Sequence, residues 1–368
     1  MRRLAVFLPN WVGDAVMATP TLRALHHRFG AEAEIIGILR PRIAETLAGT
    51  PWLHTLWTRD DPDDSPRLDW RGYARRLAAT GVDASVHLTN DFASALAARL
   101  GRVAVRVGYA RNRRGWLLTT ALAAPRRAGR WLPVSAMDYY LALADALGCP
   151  RDDRGVELAT TGEDERAADR AWRAAGLARD ARPVVINSSG AFGSAKLWPE
   201  RSCAALARRV AVDLERPVVI LAGPDERSRA LRIAASAGHP HVAALADAPL
   251  SIGLSKAVVR RAAALVSTDS GPRHFGAAFG VPVVALFGPT DPAWSDTRHD
   301  REIRLVHSID CRPCAKRECP FGHHACMERL EVDDVCDALV RALRGERRRS
   351  PPGAPIAAHP TVSRGAAA

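Results

Sequence analysis

The sequence predicts an α/β protein of two doubly wound domains, each a parallel sheet covered by helices. Three observations carry that prediction. The 368 residues are too many for one ordinary domain and comfortable for two. Short apolar runs alternate with stretches of helical periodicity over nearly the whole chain. The pattern also restarts near the middle, and each half opens on an apolar strand followed by a polar loop that carries glycine. With 47% apolar and 25% charged residues, the composition is that of a soluble globular chain, which excludes a mostly disordered protein.

In the first half, residues 4–8 read as a buried strand, Leu22, Leu25 and Phe29 recur at helical spacing, and residues 34–39 read as the next strand. Residues 84–88 and 103–107 read as further strands, and 137–147 as a helix with Leu141 and Ala144 in step. Charged stretches lie at 151–154 and 179–182, and then the series resumes. It runs as strand 184–186, helix 200–212, strand 217–222, helix 225–237, strand 264–266 and strand 281–287. A terminal helix at 332–343 precedes Arg347-Arg348-Arg349, and residues 350–368 are rich in Pro, Ala and Gly without periodicity. The expected organisation is a domain at 1–178, a second at 179–345 and a disordered tail at 346–368. Ligands of doubly wound sheets bind beyond the carboxyl ends of the strands, so the cleft between the halves is the expected site.

Lys and Arg number 52 against 40 Asp and Glu, a formal charge of +12, and Lys196, Lys256 and Lys316 are the only lysines. A basic surface favours anionic partners: phosphates, nucleic acid or an acidic membrane face. The apolar run at 4–8 stops at Pro9 and meets Asp14, too short for a signal peptide, and no stretch approaches the ~20 apolar residues of a membrane span. Seven cysteines, four of them crowded into one segment, do not read as a secreted disulfide framework. The expectation is a cytosolic protein.

Five segments carry candidate chemistry, each with a plainer alternative. In Pro9-Asn10-Trp11-Val12-Gly13-Asp14, Gly13 permits close backbone approach and Asp14 stands at a helix start; alternatively Asp14 only caps that helix. The loop lacks the further glycines of a dinucleotide fingerprint. The stretch from Ser188 and Gly190 to Pro199 offers small residues, open backbone N–H groups and Lys196, a point charge suited to a diphosphate, or else a surface turn. Thr268-Asp269-Ser270-Gly271-Pro272-Arg273-His274 ends a strand and starts a helix. The N–H groups of Ser270 and Gly271 would meet a phosphate there, unless Asp269 merely caps the helix. Glu226, after Gly223-Pro224-Asp225, would hold ribose hydroxyls or simply favour a helix amino end. Cys311, Cys314, Cys319 and Cys326 could bind a structural zinc or an iron–sulfur cluster, with disulfides or free thiols as the alternatives.

Two further clusters are weaker. Asp60-Asp61-Pro62-Asp63-Asp64 contains the D-x-D of some metal-dependent sugar transferases, but it lies in a Pro-rich charged stretch and reads as a solvated loop. Arg111, Arg113, Arg114, Arg126, Arg127 and Arg130, near Trp116 and Trp131, form either a surface for an anionic acceptor or an arginine-rich solvated face. No recognised nucleic-acid-binding motif accompanies them.

Taken in order, four motifs resemble the lipopolysaccharide heptosyltransferases, family nine of the glycosyltransferases. They are Asn10-Trp11-Val12-Gly13-Asp14 with Thr19-Pro20; Ala195-Lys196-Leu197-Trp198-Pro199; Thr268-Asp269-Ser270-Gly271 with His274; and Ala285-Leu286-Phe287-Gly288-Pro289-Thr290. The resemblance spans about residues 3–343, and the Trp-Val-Gly-Asp form of the first loop is most similar to the heptosyltransferase II branch. It implies two Rossmann-like domains (the GT-B type), with the acceptor on the first and the nucleotide sugar on the second. The implied donor is ADP-L-glycero-D-manno-heptose, and the implied acceptor is the inner core on lipid A. The resemblance also implies a transfer that inverts the anomeric centre and needs no metal. Asp14 matches the family's catalytic aspartate, Lys196 its phosphate-binding lysine and Asp269 the acidic residue of its nucleotide loop; Glu226 matches less closely.

Arg273 stands where a small or apolar residue is expected, and would add a phosphate contact or alter donor preference. Ser188, Gly190, Ser270, Gly271 and His274 complete the donor side. Asn10, Trp11, Gly13, Arg111, Arg113 and Arg114 form the acceptor side, and peripheral contact with the cytoplasmic membrane is expected. The rival readings are a family relative with another nucleotide sugar or acceptor, a non-catalytic binding protein of the same fold, and a basic nucleic-acid binder.

Overall fold

The computed structural model describes residues 1–58, 69–127, 129–150, 154–187, 190, 192–245, 248–348 and 362–364. The expected D-x-D loop and Ser188 lie outside these residues, as does most of the expected tail.

The chain divides into two compact units. The first begins with β1 (Arg3–Phe7), α1 (Val12–Met17), α2 (Thr19–Phe29), β2 (Glu34–Leu39), α3 (Pro41–Leu47) and β3 (Thr55–Thr58). It continues with α4 (Trp70–Thr80), β4 (Ala84–His87), α5 (Phe92–Leu100), β5 (Val105–Tyr109) and β6 (Thr120–Leu122). A small hairpin of β7 (Arg126–Arg127) and β8 (Arg130–Trp131) then leads to α6 (Ala136–Asp145). Strands β1 to β6 pair in parallel in the order 3-2-1-4-5-6, the doubly wound arrangement. Local signals set the helices: Asp69 and Asp91 accept the backbone N–H of Gly72 and Ser94 as amino caps, and Gly81 ends α4 at φ 67°.

The second unit holds α7 (Gly162–Ala174), β9 (Val184–Asn187), α8 (Glu200–Asp213), β10 (Val218–Leu221), α9 (Arg227–Ala237) and β11 (Val242–Ala244). Next come α10 (Ile252–Arg261), β12 (Ala264–Thr268), α11 (Gly271–Ala278), β13 (Val283–Phe287), β14 (Glu302–Val306), α12 (Ala325–Glu328) and α13 (Val332–Leu343). Its six strands are all parallel and repeat the same order, β11-β10-β9-β12-β13-β14. Strands β9, β10, β12 and β13 are buried along their whole length, as expected for a sheet covered on both faces.

Two features differ from the sequence reading. The division falls at Val156 and Glu157 rather than after residue 178, because α7 is bound to α10 of the second unit. There the buried Lys256 Nζ reaches Asp164 Oδ2 at 3.3 Å and Ala159 O at 3.0 Å, and Arg261 pairs with Glu165 at 2.7 Å and Asp169 at 2.8 Å. Within the expected tail, β15 (Val362–Arg364) is a strand that adds antiparallel to β6. No helix among the described residues is long and apolar enough to cross a membrane.

Candidate active site

In both sheets the strand order reverses between the first and fourth strands, and loops on either side of that point carry the chemistry the sequence singled out. In the first unit the loop after β1 places Trp11 at the amino cap of α1 and Asp14 at its third residue. No side chain caps this helix, so Asp14 is not its cap. Its carboxylate is partly exposed. Tyr140 of α6 lies close enough that burial first, and the charge of Asp14 second, push its phenol well up. Trp11 is exposed, with the Arg42 guanidinium 5.9 Å from its ring centre.

The loop after β4 contributes residues the sequence did not single out. Asn90 Oδ1 accepts from Arg114 Nη2 at 3.2 Å and from the Tyr139 hydroxyl at 3.3 Å. Tyr139 stacks on Tyr109 with ring centres 3.6 Å apart. Arg114 departs from its expected acceptor role. It is fully buried and donates to Tyr109 O, Asp91 O and Asn90, so it fixes this loop from behind. Burial pushes its pKa down to about 10. Arg111 packs over Trp131 at 4.2 Å and Arg126 over the same ring at 3.5 Å, whereas Arg113 is exposed on a left-handed residue, φ 57°.

In the second unit the loop after β9 and the β12–α11 junction meet. Lys196 is 8% exposed; its Nζ donates to Asp269 Oδ2 at 2.7 Å and to Asp269 O at 2.8 Å. An ammonium has three donors, and the Phe192 ring lies 4.7 Å from this one. Thr290, after β13, donates to the same Asp269 oxygen at 2.7 Å. Burial alone would raise the Asp269 pKa, but Lys196 and then Arg273 outweigh it and hold the carboxylate far below its usual range. Ser270 starts α11 with no side-chain cap, so the first N–H groups of that helix and its dipole stay available to an anion. Asn187 donates to Ser267 Oγ at 2.9 Å and Ser270 Oγ at 2.8 Å, fixing the turn. Glu226 accepts the N–H of Gly190 at 2.9 Å and of Gly223 at 3.3 Å, which ties the β9 and β10 loops together.

Arg273 requires a correction. It is fully buried over Phe287, donates Nε and Nη2 to both oxygens of Glu302 at 2.9 and 3.1 Å, and reaches Asp269 at 3.2 Å. It therefore holds Asp269 from below and offers no surface to a phosphate. Glu302, one strand away on β14, carried no signal in the sequence. His274 is buried with Nδ1 unpaired, and burial followed by the charge of Arg273 pushes its pKa down to about 3.

The four clustered cysteines form no disulfide, and among the described residues no group of three or more His, Cys, Asp or Glu side chains is arranged to hold a metal. Their segment braces the site loops. Ala195 N–H donates to Arg317 O at 2.9 Å, and His324 Nε2 lies 2.8 Å from Ala195 O. Ala315 N–H donates to Pro289 O at 2.9 Å and Arg312 Nη2 to Thr290 O at 3.0 Å.

Both sheets have the 3-2-1-4-5-6 order of a doubly wound protein, and the second carries a lysine, an ion-paired aspartate and an uncapped helix at its switch point. The profile of glycosyltransferase family 9 (heptosyltransferase) matches residues 70–325, and the chain belongs to that family. Lipopolysaccharide heptosyltransferase 2 of Escherichia coli strain K12 is 26% identical over 364 residues, 94% of this chain and 99% of that protein. Lipooligosaccharide heptosyltransferase 2 of Campylobacter jejuni is 35% identical over 80 residues, a match that spans 25% of its length. The structure of the E. coli ADP-heptose heptosyltransferase II shares the fold, with a TM-score of 0.76 at 21% identity, covering 94% of this chain and 99% of that one.

Proposed function

We propose that this protein transfers heptose from ADP-L-glycero-D-manno-heptose to the lipid A-linked inner core of lipopolysaccharide, with inversion and with no metal in the transfer step. The Lys196–Asp269 pair beside the uncapped amino end of α11, in a chain of glycosyltransferase family 9, carries the reading. In this mechanism the Asp14 carboxylate accepts the proton of the acceptor hydroxyl while that oxygen bonds to the anomeric carbon. The bond from that carbon to the diphosphate oxygen breaks, and ADP leaves with the electron pair. Lys196 and the N–H groups of Ser270 and Gly271 stabilise the departing charge, with Asp269, Thr290 and Arg273 fixing the lysine in place. Glu226 and Gly190 set the loop on which the donor lies, and Glu226 keeps acceptor capacity for hydroxyls beyond its two backbone bonds. Asn10, Trp11 and Gly13 line the acceptor side. The acceptor's lipid anchor implies that the enzyme works at the cytoplasmic face of the membrane as a peripheral protein.

The test is transfer by the purified protein, with ADP-heptose and deacylated Kdo or heptosyl-Kdo acceptors. Transfer to the heptosylated acceptor with release of ADP is expected. Use of the Kdo acceptor instead would change the step, and failure to bind ADP at all would defeat the proposal. Asp14→Asn is expected to keep donor affinity and lose turnover by about a thousandfold; an active variant would remove Asp14 as the base.

A further inference from the structure

Between Phe92 and Met137 the chain carries nine arginines and neither Asp nor Glu. The structure places apolar side chains on the outside of this same stretch. Helix α5 buries Ser94, Ala95, Ala97 and Ala98, and Phe92, Leu96 and Leu100 recur at the four-residue spacing that shares one helix face. Phe92 is 40% exposed and Leu100 52%. Trp116, 63% exposed, stands beside them with its ring centre 6.3 Å from that of Phe92, and the Arg99 guanidinium lies 5.6 Å over its indole. Arg113 is exposed on the turn leading to Trp116. That turn is tied to the loop after β4, since Asn112 Nδ2 donates to Asn90 O at 2.8 Å and Arg114 Nη1 to Asp91 O at 3.0 Å. The patch therefore borders the carboxyl edge of the first sheet, where the proposed acceptor loops stand.

We propose that the outer face of α5, with Trp116, docks this protein on an anionic phospholipid bilayer. An indole and aliphatic side chains flanked by Arg99 and Arg113 suit the headgroup boundary. There the apolar groups leave water, the guanidinium groups meet lipid phosphates, and their stems reach along the apolar surface. A basic patch alone would serve nucleic acid equally well; the exposed Phe92, Leu100 and Trp116 favour a lipid surface, which accepts apolar groups. So small an apolar area binds weakly by itself, and each arginine at an anionic surface adds a comparable amount, so the two act together. The inference rests on the proposed function only in giving the enzyme a reason to sit at a membrane, because a lipid-linked acceptor would be presented there.

The experiment is flotation of the full-length protein with phosphatidylethanolamine vesicles, with and without phosphatidylglycerol, in the absence of donor and acceptor. The protein is expected to float with the anionic vesicles, less so as salt rises. Phe92→Ser combined with Trp116→Ser is expected to weaken this by on the order of tenfold, and Arg99→Ser to weaken it severalfold. These exposed positions should leave the melting temperature and transfer to a water-soluble deacylated acceptor unchanged. No partition into anionic vesicles, or equal partition of wild type and variants, would overturn the proposal. So would tighter binding to duplex DNA or RNA, or a dimer, lost in the same variants. Because vesicle binding is read without substrates, a protein that floats but transfers no sugar leaves the docking surface standing and defeats only the functional reading.

Discussion

His274 shows how far a neighbourhood can shift one residue. A histidine exposed to water titrates near 6.5, but burial and then Arg273 push this one down to about 3. Between those values the unfolded chain binds a proton that the folded chain does not, so stability falls as pH drops from 6.5 towards 3, by about 1.4 kcal/mol per pH unit. Asp269 acts lower down. Its depressed pKa gives stability that is complete above about 3.8 and lost on further acidification. Unfolding melts as a function of pH should therefore show that His274→Phe flattens the slope between pH 6.5 and 4. An unchanged slope would mean that the ring is not held neutral by the fold. Arg273 and Arg114 teach the complementary lesson, because both look like ligand-binding arginines in the sequence and both are consumed inside the protein by carboxylate or carbonyl partners.

At the scale of elements, the donor-side loop is shaped by a segment more than a hundred residues away. Gly193 has φ 148°, and a Cβ there would stand 2.3 Å from Arg317 O, the same carbonyl that accepts the Ala195 N–H. Gly193→Ala should push the cysteine-bearing segment off the Lys196 loop and weaken ADP binding by about tenfold, or ~1.4 kcal/mol. Isothermal titration with ADP checks this, and unchanged affinity would show that the brace does not position the lysine. The short helix at the cysteines and the strand β14 were not legible in the sequence. Each is brief, and each is defined by its partners rather than by its own periodicity.

At the scale of the whole molecule, the division between units is decided by ion pairs. The buried Lys256 needs Asp164, and Arg260 and Arg261 need Glu165, so α7 belongs with α10. A fragment of residues 157–348 is expected to fold cooperatively and bind ADP. A fragment that starts at 179 leaves Lys256 buried without its carboxylate and should lose about 3 kcal/mol or more. Circular dichroism melts of the two fragments decide this; equal stability would show that α7 contributes nothing to the second unit.

The sequence by itself determined the α/β class, the repeated doubly wound pattern, most core strands and the loops that bear Asp14, Lys196 and Asp269. Those features are written in local periodicity and in short motifs at strand ends, where neighbouring residues stay neighbours in space. Only the tertiary structure decided which charges are available to a ligand. Lys196 meets Asp269 across 73 residues and Arg273 meets Glu302 across 29, and pairings of that range have no signature along the chain.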